Sequence, residues 1–146
     1  MGADRVLLDT NIIITGYRRT ESIEGQVLAL LRNRSDLTLL LSLPLEDQIR
    51  RVGRRIGGKD WAGLILNRFW HDFTVDYVSL PDNPLNVAQR LGPSIPNEDL
   101  LIFLTALVGS ATLFISSNRQ FIREAATQQQ RFTCLTPGEF LAKKND

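Results

Sequence analysis

Cysteine, histidine and methionine are almost absent from this chain of 146 residues, which has one of each. Because Cys134 is the single cysteine, no disulfide can form within the chain. This suits a reducing compartment, and we expect a cytoplasmic protein. The single histidine, His71, has no second histidine or cysteine cluster to complete a zinc site, so we expect it to have a structural role.

A dominant charge and a long apolar run are also missing. The chain has 17 Lys and Arg against 16 Asp and Glu, a net charge of +1, so nucleic-acid binding would need a local basic patch. The longest apolar stretch, 100–108, is too short to span a bilayer, and Asp9 interrupts the first apolar run. We therefore expect no signal peptide and no contact with a membrane. The length fits a single domain, residues 1–146.

Apolar periodicity and turn residues predict alternating strands and helices along the whole chain. Such alternation is typical of an α/β fold, here a three-layer α/β/α sandwich around a mainly parallel central sheet. The predicted strands are 5–8, 37–41, 73–78, 111–115 and 132–135, and the predicted helices are 22–33, 43–55, 60–70, 86–91, 99–108, 118–126 and 137–143.

The segment VLLDTNIIITG, residues 6–16, places Asp9, Thr10 and Asn11 between two apolar runs. Either a turn interrupts the strand, or the strand ends where a carboxylate is needed. A helix cap or an Asx-turn would account for the three polar residues without any chemistry. In open parallel sheets, however, ligands bind at the carboxyl ends of strands, where Asp9 stands.

Other polar side chains follow predicted strands or begin predicted helices, so they could share one edge of the sheet with Asp9. Helix capping and the helix dipole explain many of them individually. Carboxylates that converge would repel one another unless a cation lay between them, and such oxygen ligands suit Mg²⁺ or Mn²⁺. A metal held in this way can promote phosphodiester hydrolysis. The candidates are Glu46, Asp47, Glu98, Asp99, Ser116, Ser117 and Asn118.

Four segments together resemble the PIN-domain family. VLLDTNIII resembles the first strand of PIN domains, and LLLSLPLEDQIRRV resembles the second-strand block with its acidic residue. EDLLIFLTALVGSATLFISSN resembles the later aspartate, apolar helix and strand, and FTCLTPGEFLAKK resembles the closing strand and helix. The segments occur in the family's order and span the chain.

The resemblance assigns the first acid of the family to Asp9 and the third acid to Asp99, with Glu98 adjacent to it. The second acid falls on Glu46, on Asp47 or on the non-acidic Gln48, and we choose Glu46. The metal ligands are therefore expected to be Asp9, Glu46 and Asp99. Asn118 takes the position of a fourth catalytic residue, and the supporting residues are Thr10, Asn11, Asp47, Glu98 and Ser116.

The function that the resemblance implies is hydrolysis of RNA with Mg²⁺ or Mn²⁺. Many small PIN proteins are toxins of bacterial toxin–antitoxin pairs, so a small antitoxin protein is an implied partner and a homodimer an implied assembly. Arg18, Arg19 and Arg119 are expected near the acidic edge, where they would hold the RNA backbone.

A second hypothesis is a catalytically impaired PIN-like module that binds RNA or a protein partner. Two departures from the family pattern favour it. The second acid does not align cleanly, and Gln120 stands where relatives with an asparagine at the Asn118 position often have an aspartate. An amide adds no negative charge to a metal site, so the sequence supplies three plausible carboxylates instead of four.

Overall fold

The computed structural model describes residues 4–144, and in that range it contains a five-stranded sheet and eight helices. The strands are β1 (Asp4–Leu8), β2 (Leu37–Ser42), β3 (Val75–Val78), β4 (Leu113–Ile115) and β5 (Thr133–Leu135). The helices are α1 (Thr10–Arg18), α2 (Ile23–Arg32), α3 (Leu43–Gly57), α4 (Lys59–Asp72), α5 (Pro84–Leu91), α6 (Asn97–Val108), α7 (Arg119–Gln128) and α8 (Pro137–Lys144).

The sheet has the strand order β3-β2-β1-β4-β5, and every neighbouring pair is parallel. Right-handed crossovers therefore place α1–α4 and α5–α7 on opposite faces of the sheet. This arrangement confirms the predicted three-layer α/β/α sandwich. The central position of β1 explains why its sequence is continuously apolar: Val6, Leu7 and Leu8 are buried between the two helical layers.

The main error of the sequence prediction is helix α1, since no helix was predicted after Asp9. Ile12, Ile13 and Ile14 are β-branched residues that favour strands, yet they are fully buried on a helix. The Asp9 side chain caps this helix by accepting a hydrogen bond from the Thr10 backbone N–H at 2.9 Å. Smaller differences occur at element ends, and Asp60 lies in the first turn of α4 instead of capping it.

No helix among residues 4–144 has both the length and the apolar character that a membrane crossing requires.

The packing of α2 against the preceding loop depends on Gly25. A Cβ atom at Gly25 would lie 2.3 Å from the backbone oxygen of Thr20, too close for any real contact. We expect Gly25→Ala to lower the free energy of unfolding by about 2 kcal/mol, because backbone atoms must shift. Gly63→Ala is the matched control: its Cβ meets nothing within 4 Å, so it should raise stability by up to about 1 kcal/mol. Urea unfolding of both variants measures the difference, and equal changes would contradict this account of the packing.

Candidate active site

Strand β1 is the point where the chain reverses its direction across the sheet, because β2 and β3 lie on one side of it and β4 and β5 on the other. A crevice at the carboxyl ends of β1 and β4 is the usual binding place in such sheets. Asp9 and Ser116 stand at these two ends. The Ser116 hydroxyl donates to the Asp9 carboxylate at 2.6 Å, and the Asp9 backbone N–H donates to the Ile115 carbonyl at 3.0 Å.

The Asp9 carboxylate is held rigidly in a nearly dry position, with 7% of the residue exposed. One oxygen accepts from the Thr10 backbone N–H and the other from the Ser116 hydroxyl. Burial raises the pKa of Asp9, although these two hydrogen bonds act in the opposite direction. Among the side chains of residues 4–143 no cation pairs with Asp9, and a buried carboxylate of this kind is a candidate metal ligand.

Asp99 lies in the first turn of α6 and is also buried, with 8% of the residue exposed. Burial, then the negative charge of Asp9, then that of Glu98 raise the pKa of Asp99 to about 6. The charge of Asp9 acts on Asp99, so the two predicted carboxylates lie within electrostatic range of each other. Glu98 is exposed beside them.

The α3 side chain that contacts Thr10, the residue after Asp9, is Gln48. The Thr10 hydroxyl donates a hydrogen bond to the Gln48 side-chain oxygen. The charges of Glu46 and Asp47 act on Tyr77 on β3, whose pKa is raised first by burial and then by these two carboxylates. The structure therefore does not place Glu46, our choice for the second acid, against Thr10.

The Asn118 side chain is engaged in the fold. Its oxygen accepts from the Phe121 backbone N–H at 3.1 Å and caps α7. Its own backbone N–H donates to the Ser116 hydroxyl oxygen at 3.0 Å, which links the cap to the Asp9 site. Ser117 is exposed and donates to Glu24 on α2 at 3.0 Å. Asn118 therefore supports the site through Ser116.

The remaining predicted residues lie on the surface. Asn11 is exposed on the first turn of α1. Arg18 ends α1, about 13 Å along the helix from Asp9, and Arg19 follows it, and both are exposed. Arg119 is exposed directly after Asn118 and is the one predicted RNA-binding arginine close to the site in sequence.

Sequence comparisons found no protein family model and no curated protein that match this chain. Structural comparison found VapBC2 from Rickettsia felis bound to a DNA fragment from their promoter, 17% identical, with a TM-score of 0.65 over 90% of this chain and 98% of that one. VapBC-1 from nontypeable Haemophilus influenzae is 18% identical, with a TM-score of 0.61 over 92% and 98% of the two chains. FitAcB from Neisseria gonorrhoeae is 17% identical, with a TM-score of 0.59 over 91% and 98%.

These solved structures are toxin–antitoxin complexes whose toxins are PIN-domain proteins. This chain has a PIN-like fold. The structural likeness thus confirms the fold that the four sequence segments predicted, and at these identities it establishes the fold alone.

The PIN-like site offers two buried carboxylates to a metal ion. Among the side chains of residues 4–143, no group of three or more acidic, histidine or cysteine residues is arranged to hold a metal. Mg²⁺ often binds through one or two carboxylates and keeps several waters, so Asp9 and Asp99 fit one such ion. The raised pKa of each carboxyl group also fits a metal ion. A cation would offset the cost of burying the two negative charges and the repulsion of Asp99 by Asp9.

A surface depression of about 290 Å³ lies between α3 and α6, and Gln48 is part of its lining. Arg51 and Leu101 line it together with Asp47 and Glu98. Arg51 was not among the predicted site residues, because four arginines lie close together on α3 and the sequence alone does not show which one faces the site.

The pKa of Asp99 predicts a pH dependence of stability in the metal-free protein. Its ordinary value is 3.8, and the folded state raises it to about 6, so folding takes up a proton between these values. Stability from this group is therefore full below about pH 4 and is lost as the pH rises through 6. Asp99→Asn removes this loss of stability, so between pH 4 and pH 8 the variant should gain up to about 3 kcal/mol relative to the unmodified protein. Urea unfolding in EDTA at both pH values tests this, and parallel changes in the two proteins would contradict it.

Proposed function

We propose that this chain is a metal-dependent endoribonuclease that hydrolyses RNA phosphodiester bonds. The supporting observation is the pair of buried carboxylates, Asp9 and Asp99, at the crevice between β1 and β4. Mg²⁺ or Mn²⁺ is the proposed cofactor, and Asp9 and Asp99 are its proposed ligands. Glu46 drops out of the proposed ligand set because the structure puts Gln48 beside Thr10.

Hydrogen bonds within the chain orient the side chains of the proposed site. The Thr10 N–H and the Ser116 hydroxyl fix the orientation of the Asp9 carboxylate. The Thr10 hydroxyl in turn positions Gln48, whose amide can donate to a water or a phosphate oxygen. A divalent cation bound there would lower the pKa of a water molecule and offset negative charge on the phosphate. The depression beside Gln48 gives a substrate strand a path along α3.

We further propose that the chain is a toxin controlled by a small antitoxin protein, in the cytoplasm and as a homodimer. The similarity of the fold to VapBC and FitAcB supports this. An exposed aromatic pair offers a surface for such a partner: Trp70 and Tyr77 are 44% and 42% exposed, and their stacked rings lie 6.3 Å apart. Phe69 and Phe73, by contrast, belong to the core.

The second candidate function is a PIN-like module that binds RNA or a protein partner without cleaving RNA. Two observations favour it over an ordinary PIN nuclease. An amide, Gln48, faces Thr10 where a third carboxylate would strengthen metal binding. The other amide, Asn118, uses its oxygen to cap α7.

Incubation of purified protein with a mixed-sequence single-stranded RNA in Mn²⁺, in Mg²⁺ and in EDTA separates the two candidates. The nuclease predicts cleavage that needs metal and disappears in the double variant Asp9→Asn/Asp99→Asn. Cleavage that persists in the variant would come from another site or a contaminant. RNA binding by the folded protein with no cleavage in either metal would favour the module.

A further inference from the structure

A second depression, of about 270 Å³, lies between α7 and the start of α8. Arg119 and Arg123 line it and are four residues apart on α7, so their side chains lie on the same face of the helix. Ile122, Thr136 and Glu139 complete its lining. The depression therefore holds two positive charges against one negative charge.

This depression opens at the same edge of the sheet as the candidate active site. Thr136 follows the end of β5, and Arg119 lies three residues after Ser116 at the end of β4. Ser116 donates to Asp9, so a chain of three residues, at most about 11 Å when extended, joins the two places. A single-stranded RNA lying along this edge can meet both.

The two guanidinium groups are available to a ligand. Both arginines are exposed, and within residues 4–144 neither makes a hydrogen bond or an ion pair shorter than 4 Å. The charge of Arg119 acts on the Glu139 carboxyl, whose pKa is lowered first by hydrogen bonding to Thr136 and then by Arg119. The Glu139 carboxylate accepts from the Thr136 backbone N–H at 2.9 Å, while the Thr136 hydroxyl oxygen accepts from the Glu139 N–H at 3.2 Å. This reciprocal pair is a capping box that fixes the first turn of α8.

We propose that Arg119 and Arg123 form a phosphate subsite that binds the RNA backbone beside the phosphodiester bond placed at Asp9 and Asp99. This inference rests on the proposed nuclease function and adds how the substrate strand is held. Arginine suits the role because its planar fork of N–H donors matches phosphate oxygens. Glu139 opposes binding through its charge, and its capping role keeps it in place.

The test is the affinity of labelled single-stranded RNA, measured by fluorescence anisotropy in EDTA so that no metal-dependent cleavage occurs. We expect Arg119→Ala/Arg123→Ala to weaken binding about tenfold and to flatten the dependence of log affinity on log salt by about 0.7. Arg131→Ala removes an exposed arginine just before β5, at the opposite edge of the sheet, and should leave affinity unchanged.

Glu139→Gln provides a test in the opposite direction. Glutamine can keep the capping box, because its side-chain oxygen still accepts from the Thr136 N–H. The substitution removes only the opposing charge, so RNA affinity should rise about twofold to threefold. A rise in Glu139→Gln together with a loss in the arginine variant supports the subsite.

The outcomes distinguish this inference from the nuclease itself. If the arginine variant and Arg131→Ala bind RNA equally well while the unmodified protein cleaves RNA, the subsite is wrong and the nuclease stands. If the arginine variant alone loses affinity while the unmodified protein never cleaves RNA, the subsite stands in a binding module. If the unmodified protein binds no RNA in EDTA, the subsite is wrong, and the nuclease is wrong as well only if the protein also cleaves no RNA in Mn²⁺ or Mg²⁺.

Discussion

Replacing Asp9 by asparagine should lower the rate of RNA cleavage in Mn²⁺ by about 100-fold or more, because one of only two carboxylates at the proposed metal site loses its charge. The fold should survive, since asparagine caps helices as well as aspartate does and can still accept from the Thr10 N–H. Initial cleavage rates at saturating Mn²⁺ measure the effect, with circular dichroism to confirm folding.

Glu46→Gln is the matched control for the loss of cleavage in Asp9→Asn. It makes the same chemical change on α3, but Glu46 acts on Tyr77, so cleavage should stay within about threefold of the unmodified protein. If Glu46→Gln lowered the cleavage rate as much as Asp9→Asn, Glu46 would be a residue of the metal site, as we predicted from the sequence. That result would contradict the arrangement around Gln48.

Replacing Gln48 by glutamate should tighten Mn²⁺ binding about tenfold or more and raise the cleavage rate at limiting metal. The new carboxylate would keep the hydrogen bond from the Thr10 hydroxyl and add a third charge beside Asp9 and Asp99. Without metal the same charge is harmful, because it adds to repulsion that already raises the pKa of Asp99 to about 6. The variant should therefore be less stable than the unmodified protein in EDTA and regain stability in Mn²⁺.

Gln89→Glu, an exposed substitution on α5, controls for the added negative charge and should change neither metal affinity nor stability in EDTA. Mn²⁺ affinity that is the same in Gln48→Glu and in the unmodified protein would mean that Gln48 does not face the metal site. If the unmodified protein is inactive and Gln48→Glu cleaves RNA, the chain is a PIN-like module that has lost activity at this position.

The sequence predicted the parallel sheet because its strands carry local signals, and the sequence also made Asp9 and Asp99 candidates for a metal site. Buried parallel strands read as continuous apolar runs, and an aspartate directly after such a run stands at the carboxyl edge of the sheet. Asp99 was chosen on a different signal, because it stands in the first turn of an apolar helix and the PIN resemblance assigns the third acid to it. Both signals can be recognised in the sequence without any knowledge of tertiary contacts.

The choice among Glu46, Asp47 and Gln48 could not be made from the sequence, because adjacent helical residues point about 100° apart. The orientation of α3 depends on which residues enter the core, here Leu45 and Ile49, and that is a property of the packed structure. Helix α1 was missed for a related reason: burial against the sheet overrides the strand preference of three successive isoleucines.

The most direct test of the central claim, that Asp9 and Asp99 hold one divalent cation, is a Mn²⁺ titration followed by electron paramagnetic resonance. We expect one bound Mn²⁺ per chain in the unmodified protein and in Glu46→Gln, and none in Asp9→Asn/Asp99→Asn. Binding that survives in the double variant, or no binding to the folded unmodified protein, would contradict it.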